Sequence, residues 1–328
     1  MPSLTYYDTT ILSLGALFLG IILLIKGGNW AVDSSVYIAN RFGISPMMIG
    51  FTIIAFGTSL PELIVSVFAN MAGSPGIALG NVIGSNIANL LLVLGCSALF
   101  VTLKTKVNKS LIRDLIFMLL ATIALAALLN HGQITRTYGF AMLVVLGTYI
   151  FVQFKTSEPE DFEAVEPEEM GFENDKYAYL ALFGGLTCIA IGAEFLVKGA
   201  QVSAGLIGVP ESVIALSLIA LGTSLPELST SIIAARKNQS EMVIGNIIGS
   251  NVFNILLILG VASLIAPINQ GSFEPQLAQF DIWVTLSVSV ICAAVLFFSG
   301  KINRITGGLF FLLYIVYNVY IYATNIGA

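Results

Sequence analysis

An all-α membrane protein, with ten transmembrane helices in two inverted five-helix repeats, is the fold the sequence predicts. Three observations carry that prediction: composition, the number of long apolar segments, and an internal repeat. The 328 residues are 57% hydrophobic and only 10% charged, with a mean hydropathy of +0.92. A soluble domain carries about a quarter charged residues. Ten apolar segments fall near 9–25, 46–70, 76–102, 114–130, 137–154, 177–197, 211–235, 242–266, 281–299 and 305–325. They are long and continuously apolar, unlike the short alternating strands of a membrane barrel. "FGTSLPEL" at Phe56–Leu63 returns as "LGTSLPEL" at Leu221–Leu228, 165 residues later.

The elements follow in order. The N-terminus, MPSLTYYDTT, has no basic leader region or cleavage site, so the first segment reads as retained. Basic residues flank the loops after segments 1, 3, 5, 7 and 9: Lys26, Arg41, Lys104, Lys106, Lys109, Arg113, Lys155, Lys176, Arg236, Lys237, Lys301 and Arg304. The other side has Arg136 and Lys198. The excess of positive charge marks the cytoplasmic side, which places both termini outside a cell membrane crossed many times. Nine acids crowd into Glu158–Asp175 and read as a solvated, disordered cytoplasmic hinge. The expected organisation is residues 1–155 as the first membrane repeat, 156–176 as the linker and 177–328 as the second repeat. Cys96, Cys188 and Cys292 lie in apolar segments and read as buried free thiols, and His131 as a loop residue. The sequons at Asn108 and Asn238 fall on the cytoplasmic side, where glycosylation is not expected.

The 165-residue offset extends beyond one motif. "GNVIGSNIANLLLVLG" at Gly80–Gly95 matches "GNIIGSNVFNILLILG" at Gly245–Gly260, and Gly27, Ala39 and Gly43 fall on Gly192, Ala204 and Gly208. Five spans per half is an odd number, so the second half enters the membrane from the opposite side. Inverted repeats with a midplane site typify secondary transporters.

Each repeat carries oxygen donors where a helix should break. Pro61 and Pro226 have no N–H and clash with the carbonyl four residues back, at Gly57 and Gly222. Irregular backbone at membrane depth is tolerated only where it is buried or lines a cavity. The carbonyls of 55–58 and 220–223 are therefore candidate ligands, with Ala55 and Ala220 foremost. Thr58 and Glu62 are four apart, as are Thr223 and Glu227, with Ser59 and Ser224 beside them. Asn81, Ser85 and Asn89 form a polar stripe at i, i+4 spacing, repeated by Asn246, Ser250 and Asn254. Gly84 and Gly249 permit close helix approach.

The halves can thus converge two carboxylates, six hydroxyls and at least two amides. An intramembrane acid marks a functional site by default, and neither Glu62 nor Glu227 has a basic residue nearby in its span. Oxygen donors without Cys or His select hard cations, and six to eight oxygens suit Ca²⁺. Two glutamates neutralise one Ca²⁺, and Na⁺ could share the same oxygens. Helix-to-helix bonding is the alternative reading for Asn81, Asn246, Asn86 and Asn251. Glu194 precedes Lys198 by one turn and reads as an ion pair rather than a ligand. Lys26 and Asp33 lie near the first span's end, within reach of headgroups.

These motifs resemble the paired alpha repeats of the cation/calcium exchanger superfamily, and are most similar to prokaryotic sodium/calcium exchangers. The resemblance covers essentially the whole chain. It implies an electrogenic antiporter that exchanges several Na⁺ for one Ca²⁺ by alternating access. The ligands it implies are Thr58, Ser59, Glu62, Ser85 and Asn89 with Thr223, Ser224, Glu227, Ser250 and Asn254, plus backbone oxygens of Ala55 and Ala220. The sequence departs from some relatives, which carry aspartate where this chain has Asn254. An amide removes a charge and cannot exchange a proton, which argues against K⁺ co-transport and against proton coupling there. A proton/calcium antiporter or a potassium-dependent exchanger using the same glutamates is the rival transporter. A channel lacks an obvious oligomeric pore, and no enzyme constellation is visible within the spans. No resident cofactor, nucleic acid or obligate protein partner is expected, only Ca²⁺, Na⁺ and membrane lipid. Broken spans 2, 3, 7 and 8 are expected to form a fixed core across which spans 1 and 6 slide.

Overall fold

The computed structural model describes residues 6–156, 175–206, 220–269 and 271–326. The acidic linker lies almost wholly outside these residues, as does the first part of the predicted span 211–235.

The first helix, α1 (Tyr6–Phe42), runs 37 residues, well past the predicted end at 25. Nothing in Lys26–Phe42 forces a stop until Gly43, whose φ of +63° ends the helix in the left-handed region that glycine tolerates. Asp33, expected near a span end, is therefore inside a helix, where it pairs with Lys237 at 2.6 Å. Ser45 then caps α2 (Pro46–Ile49) by accepting from Met48 N–H at 3.2 Å. A π-helical turn (Gly50–Ile54) leads into α3 (Ala55–Thr58), and α4 (Leu60–Met71) follows after a break at Ser59. The two arms, Pro46–Thr58 and Leu60–Met71, meet at 45°. Pro61 sits in the first turn of α4, where its missing N–H is harmless to that helix but denies Gly57 a partner.

The next span is α5 (Pro75–Ala88), a π-helical turn (Asn89–Val93) and α6 (Leu94–Phe100). Then come α7 (Lys109–His131), α8 (Arg136–Thr156) and α9 (Asp175–Leu206). Asn108 caps α7 by accepting from Leu111 N–H, and His131 closes that helix rather than lying in a loop. Gly132 turns the chain with φ +88°. In the second half, α10 (Ala220–Thr223) and α11 (Leu225–Arg236) flank Ser224. They are followed by α12 (Ser240–Phe253), a π-helical turn (Asn254–Ile258), α13 (Leu259–Ile265), α14 (Ile282–Ser299) and α15 (Arg304–Ile326). Two-residue strands β1 (Leu103–Lys104) and β2 (Lys301–Ile302) pair antiparallel.

The π-helical turns correct one expectation. Spans 3 and 8 are not broken: each is a continuous 26-residue helix. Neither has a proline in its interior, so the helix absorbs its irregularity as a π-turn that begins at Asn89 and at Asn254.

Among the described residues, eight helices are long and apolar enough to cross a membrane, or nine if the bent pair is one span. The molecule is thus a multi-pass, almost wholly helical membrane protein. Its centre is Pro75–Phe100 and Ser240–Ile265, where 83% of the apolar stretch is buried, against 17–44% for the other six. Every residue from Met242 to Phe253 is buried. The approach is closest at Gly245, where an added Cβ would stand 2.1 Å from the Met47 carbonyl oxygen. Gly249 packs against the Phe51 backbone in the same way, as its spacing predicts. Gly84 has no described neighbour within 4 Å.

Helices α1 and α9 pack along each other antiparallel. Gly20 abuts the Gly192 carbonyl and Gly27 the Gly185 carbonyl, at 2.8 and 2.7 Å from a built Cβ. Subtracting 165 from Gly185 and Gly192 gives Gly20 and Gly27, so each contact is the other's image in the repeat.

Candidate functional site

The site forms where the breaks in the helices meet the two central spans. Ser59 and Ser224 occupy the breaks with nearly equal backbone angles, φ −83°, ψ 3° and φ −87°, ψ 3°. This bridge-region geometry is sparsely populated and recurs at functional sites. Glu62 and Glu227 stand in the first turns of α4 and α11, beside the positive ends of those helix dipoles. Both are buried, 1% and 0% exposed, and near enough for their charges to interact.

The two halves interlock here. Ser59 Oγ donates to Glu227 Oε1 at 3.2 Å, across 168 residues of sequence. The Thr58 and Ser250 side chains face the same carboxylate, although Ser250 Oγ makes no hydrogen bond of full geometry. The image of the Ser59 contact is not formed, since Ser224 Oγ has no partner. Thr223 turns to Asn81 Oδ1 instead, at 3.4 Å. The site is therefore matched in composition and unequal in geometry.

The asparagines divide into three roles. Asn81 Nδ2 donates to Ser66 Oγ at 2.9 Å, and its mate Asn246 Nδ2 to Ser231 Oγ at 3.2 Å. These bonds tie α5 to α4 and α12 to α11. Asn86 and Asn251 lie between the central spans: Asn254 Nδ2 donates to Asn86 Oδ1 at 3.0 Å, and Asn89 Nδ2 to Asn251 Oδ1 at 3.2 Å. That leaves Asn89 and Asn254 each with a buried oxygen and no donor to it.

Seven of the sequence-predicted residues carry a buried oxygen with no hydrogen-bond partner: Glu62 Oε2, Ser85 Oγ, Asn89 Oδ1, Ser224 Oγ, Glu227 Oε2, Ser250 Oγ and Asn254 Oδ1. Abandoning one such group costs about 1–3 kcal/mol, and oxygens of this kind can accept a donor or a positive charge. Among the described residues no three His, Cys, Asp or Glu side chains gather; the donors are two carboxylates and neutral oxygens. Ala55 is buried at the same place, but its carbonyl already accepts from Ser59 N–H at 3.0 Å and Thr58 Oγ1 at 3.4 Å. Ala220 begins α10.

Other expectations resolve outside the site. Glu194 and Lys198 pair at 2.6 Å on the exposed face of α9. Cys96, Cys188 and Cys292 are free thiols, but only Cys292 is buried; Cys96 and Cys188 are partly exposed, against expectation. Two buried acids were not singled out in the sequence. Asp114 accepts from Tyr149 Oη and from Gln153 Nε2, the latter at 3.2 Å, and pairs with Arg113 at 2.9 Å. Asp281 accepts from Tyr317 Oη at 3.0 Å. Their spacing was the available signal: Asp114 and Asp281 are 167 apart, Tyr149 and Tyr317 are 168 apart.

The profile of the family described as "Sodium/calcium exchanger protein" matches twice, over residues 12–155 and 177–323. The chain belongs to the sodium/calcium exchanger family. Within it, the chain is 30% identical to sodium/calcium exchanger MaX1 of Methanosarcina acetivorans, over 93% of this chain and 97% of that one. It is 33% identical to inner membrane protein YrbG of Escherichia coli, over 86% and 88%. Among solved structures it is similar to the sodium-calcium exchanger NCX_Mj soaked with Na⁺ and Sr²⁺, at a TM-score of 0.80 and 34% identity. That match covers 94% of this chain and 97% of the other. The cluster of orphaned oxygens thus sits in a chain whose family is named for exchanging two hard cations.

Proposed function

We propose that this exchanger-family chain is an antiporter that moves Ca²⁺ in exchange for several Na⁺, electrogenically and by alternating access. The observation that carries the reading is the pair of buried glutamates, each with an unpartnered oxygen, at the meeting point of the two halves. Glu62 and Glu227 neutralise one Ca²⁺. Thr58, Ser59, Ser85, Thr223, Ser224 and Ser250 supply hydroxyl oxygens, and Asn89 and Asn254 supply amide oxygens. Ala55 and Ala220 complete the set through backbone carbonyls, Ala55 after Thr58 turns its hydroxyl to the ion. Six to eight oxygens in flexible geometry suit Ca²⁺, and a hard oxygen set accepts Na⁺ as well.

The architecture we propose is ten spans in two inverted five-helix repeats, with termini outside and the acidic linker cytoplasmic. The antiparallel packing of α1 on its repeat mate α9 supports it, as does the double family match. Spans 2, 3, 7 and 8 hold the ions while α1 and α9 slide across them. An empty cage with two bare carboxylates is costly to close off from water, so only the loaded carrier switches, which enforces exchange.

The test is radiolabelled Ca²⁺ uptake into proteoliposomes preloaded with Na⁺, against Na⁺-free and K⁺-containing baths and with a protonophore. Uptake that requires the Na⁺ gradient and ignores the protonophore supports the reading. Uptake driven by a pH gradient, or dependent on K⁺, moves the chain to the rival coupling.

A further inference from the structure

We infer that Asn86 and Asn251, which do not point an oxygen into the cation cage, are positioning residues that fix the amide orientation of Asn254 and Asn89. The inference rests on the proposed cation site. A side-chain amide has two faces of opposite character, an acceptor oxygen and a two-proton donor. Turned by half a rotation, Asn89 or Asn254 would present N–H groups to a cation and repel it. Something must therefore hold each amide one way round, and the central spans contain a matched device that does.

Asn86 Oδ1 accepts from Asn254 Nδ2, and Asn251 Oδ1 accepts from Asn89 Nδ2. Adding 165 to Asn86 and Asn89 gives Asn251 and Asn254, so the two bonds are one bond repeated. Each occupies the nitrogen of the caged asparagine, and each leaves that residue's oxygen buried and unpartnered. All four side chains are 0–1% exposed, so water does not compete for the bonds.

The device is also oriented at its own base, unequally in the two halves. Asn86 Nδ2 donates to the backbone carbonyl of Asn251 at 3.3 Å, so its oxygen can only point to Asn254. Asn251 Nδ2 reaches the Met118 sulfur at 3.8 Å, a weaker acceptor. Asn254 is accordingly held more firmly than Asn89. The π-helical turns start at Asn89 and Asn254 themselves, which offsets each caged residue from the regular helix beyond it. Each positioner lies three residues earlier, in regular helix.

The test is equilibrium binding of radiolabelled Ca²⁺ to purified protein in detergent, read on a double-mutant cycle. Asn86→Leu alone is expected to weaken binding about tenfold, the worth of roughly one hydrogen bond. In an Asn254→Asp background, whose carboxylate has no wrong way round, Asn86→Leu is expected to change affinity less than about twofold. A residue that merely packs the helices would weaken both backgrounds equally, and that outcome overturns the inference, as does wild-type affinity in Asn86→Leu. Asn251→Ala, read with and without Asn89→Ala, makes the same test from the other half should Asn86→Leu fail to assemble, and a smaller effect is expected there. Glu62→Gln is run alongside: if it binds Ca²⁺ normally, the cation-site reading itself fails, independently of Asn86.

Discussion

Ser59 Oγ and Glu227 Oε1, from opposite halves of the chain, meet at 3.2 Å, while Ser224, the repeat mate of Ser59, leaves its hydroxyl unpartnered. One sequence motif therefore sits in two states within one molecule. The alternating access proposed here calls for such an inequality, since a carrier open to one side cannot treat its halves alike.

The inequality predicts how the two serines differ. Ser59→Ala removes a hydrogen bond to a carboxylate, worth about 1.5–3 kcal/mol, and should lower the melting temperature of the ion-free protein. Ser224→Ala removes a hydroxyl with no partner and should leave that temperature nearly unchanged. Both should weaken Ca²⁺ binding, because both are proposed ligands. Melting curves with and without Ca²⁺ measure the two effects together; equal shifts in the ion-free protein would refute the inequality.

Glu62→Gln and Glu227→Gln keep the size of the side chain and remove its charge. Stripping one charge from a buried charge pair costs about 3–5 kcal/mol, and in the proposed site that pair is formed with Ca²⁺. Na⁺-driven Ca²⁺ uptake should fall at least about a hundredfold, with unchanged elution of the purified protein. Wild-type uptake by either variant would remove the glutamates from the site.

The sequence made much of this legible, and for physical reasons. A carboxylate in apolar chain stands out because lipid penalises it, and a repeat doubles the contrast. The break at Ser59 was readable from Pro61, whose missing N–H and ring clash stop the preceding helix while suiting the first turn of the next. The π-helical turns at Asn89 and Asn254 were not, since no residue type forces an inserted residue in a helix. The positioning role of Asn86 was hidden likewise: an asparagine facing a partner helix looks the same whether it glues or orients. The length of α1 was missed because hydropathy falls after residue 25 while nothing stops the helix until Gly43.

Close backbone packing gives a prediction independent of ions. Gly245→Ala would force a Cβ to within 2.1 Å of the Met47 carbonyl oxygen, a backbone atom that cannot swing aside. Overpacking of this kind costs about 1–3 kcal/mol or more. Gly15→Ala meets nothing within 4 Å and should be neutral or slightly stabilising through helix propensity. Thermal melts of the two variants in one detergent should differ by several degrees, and parity between them would contradict the packing of α12 on α2.

Asp114 tests whether every buried acid here belongs to the ions. Its carboxylate is held by Tyr149, Gln153 and Arg113, and those partners lie on α7 and α8. Asp114→Ala takes the carboxylate from the Arg113 guanidinium, which is 25% exposed and keeps its hydrogen bonds to Thr156 and Ser110. The cost should be about 2–3 kcal/mol, below the 3–5 of a wholly buried pair because water reaches the arginine. The Ca²⁺ concentration at half-maximal uptake should stay where it is, since no ligand has moved. A variant with normal melting but weakened Ca²⁺ affinity would reverse that assignment and make Asp114 part of the ion path. A variant that melts early yet transports with unchanged affinity would separate the acids proposed to bind cations, Glu62 and Glu227, from the acid that joins α7 to α8.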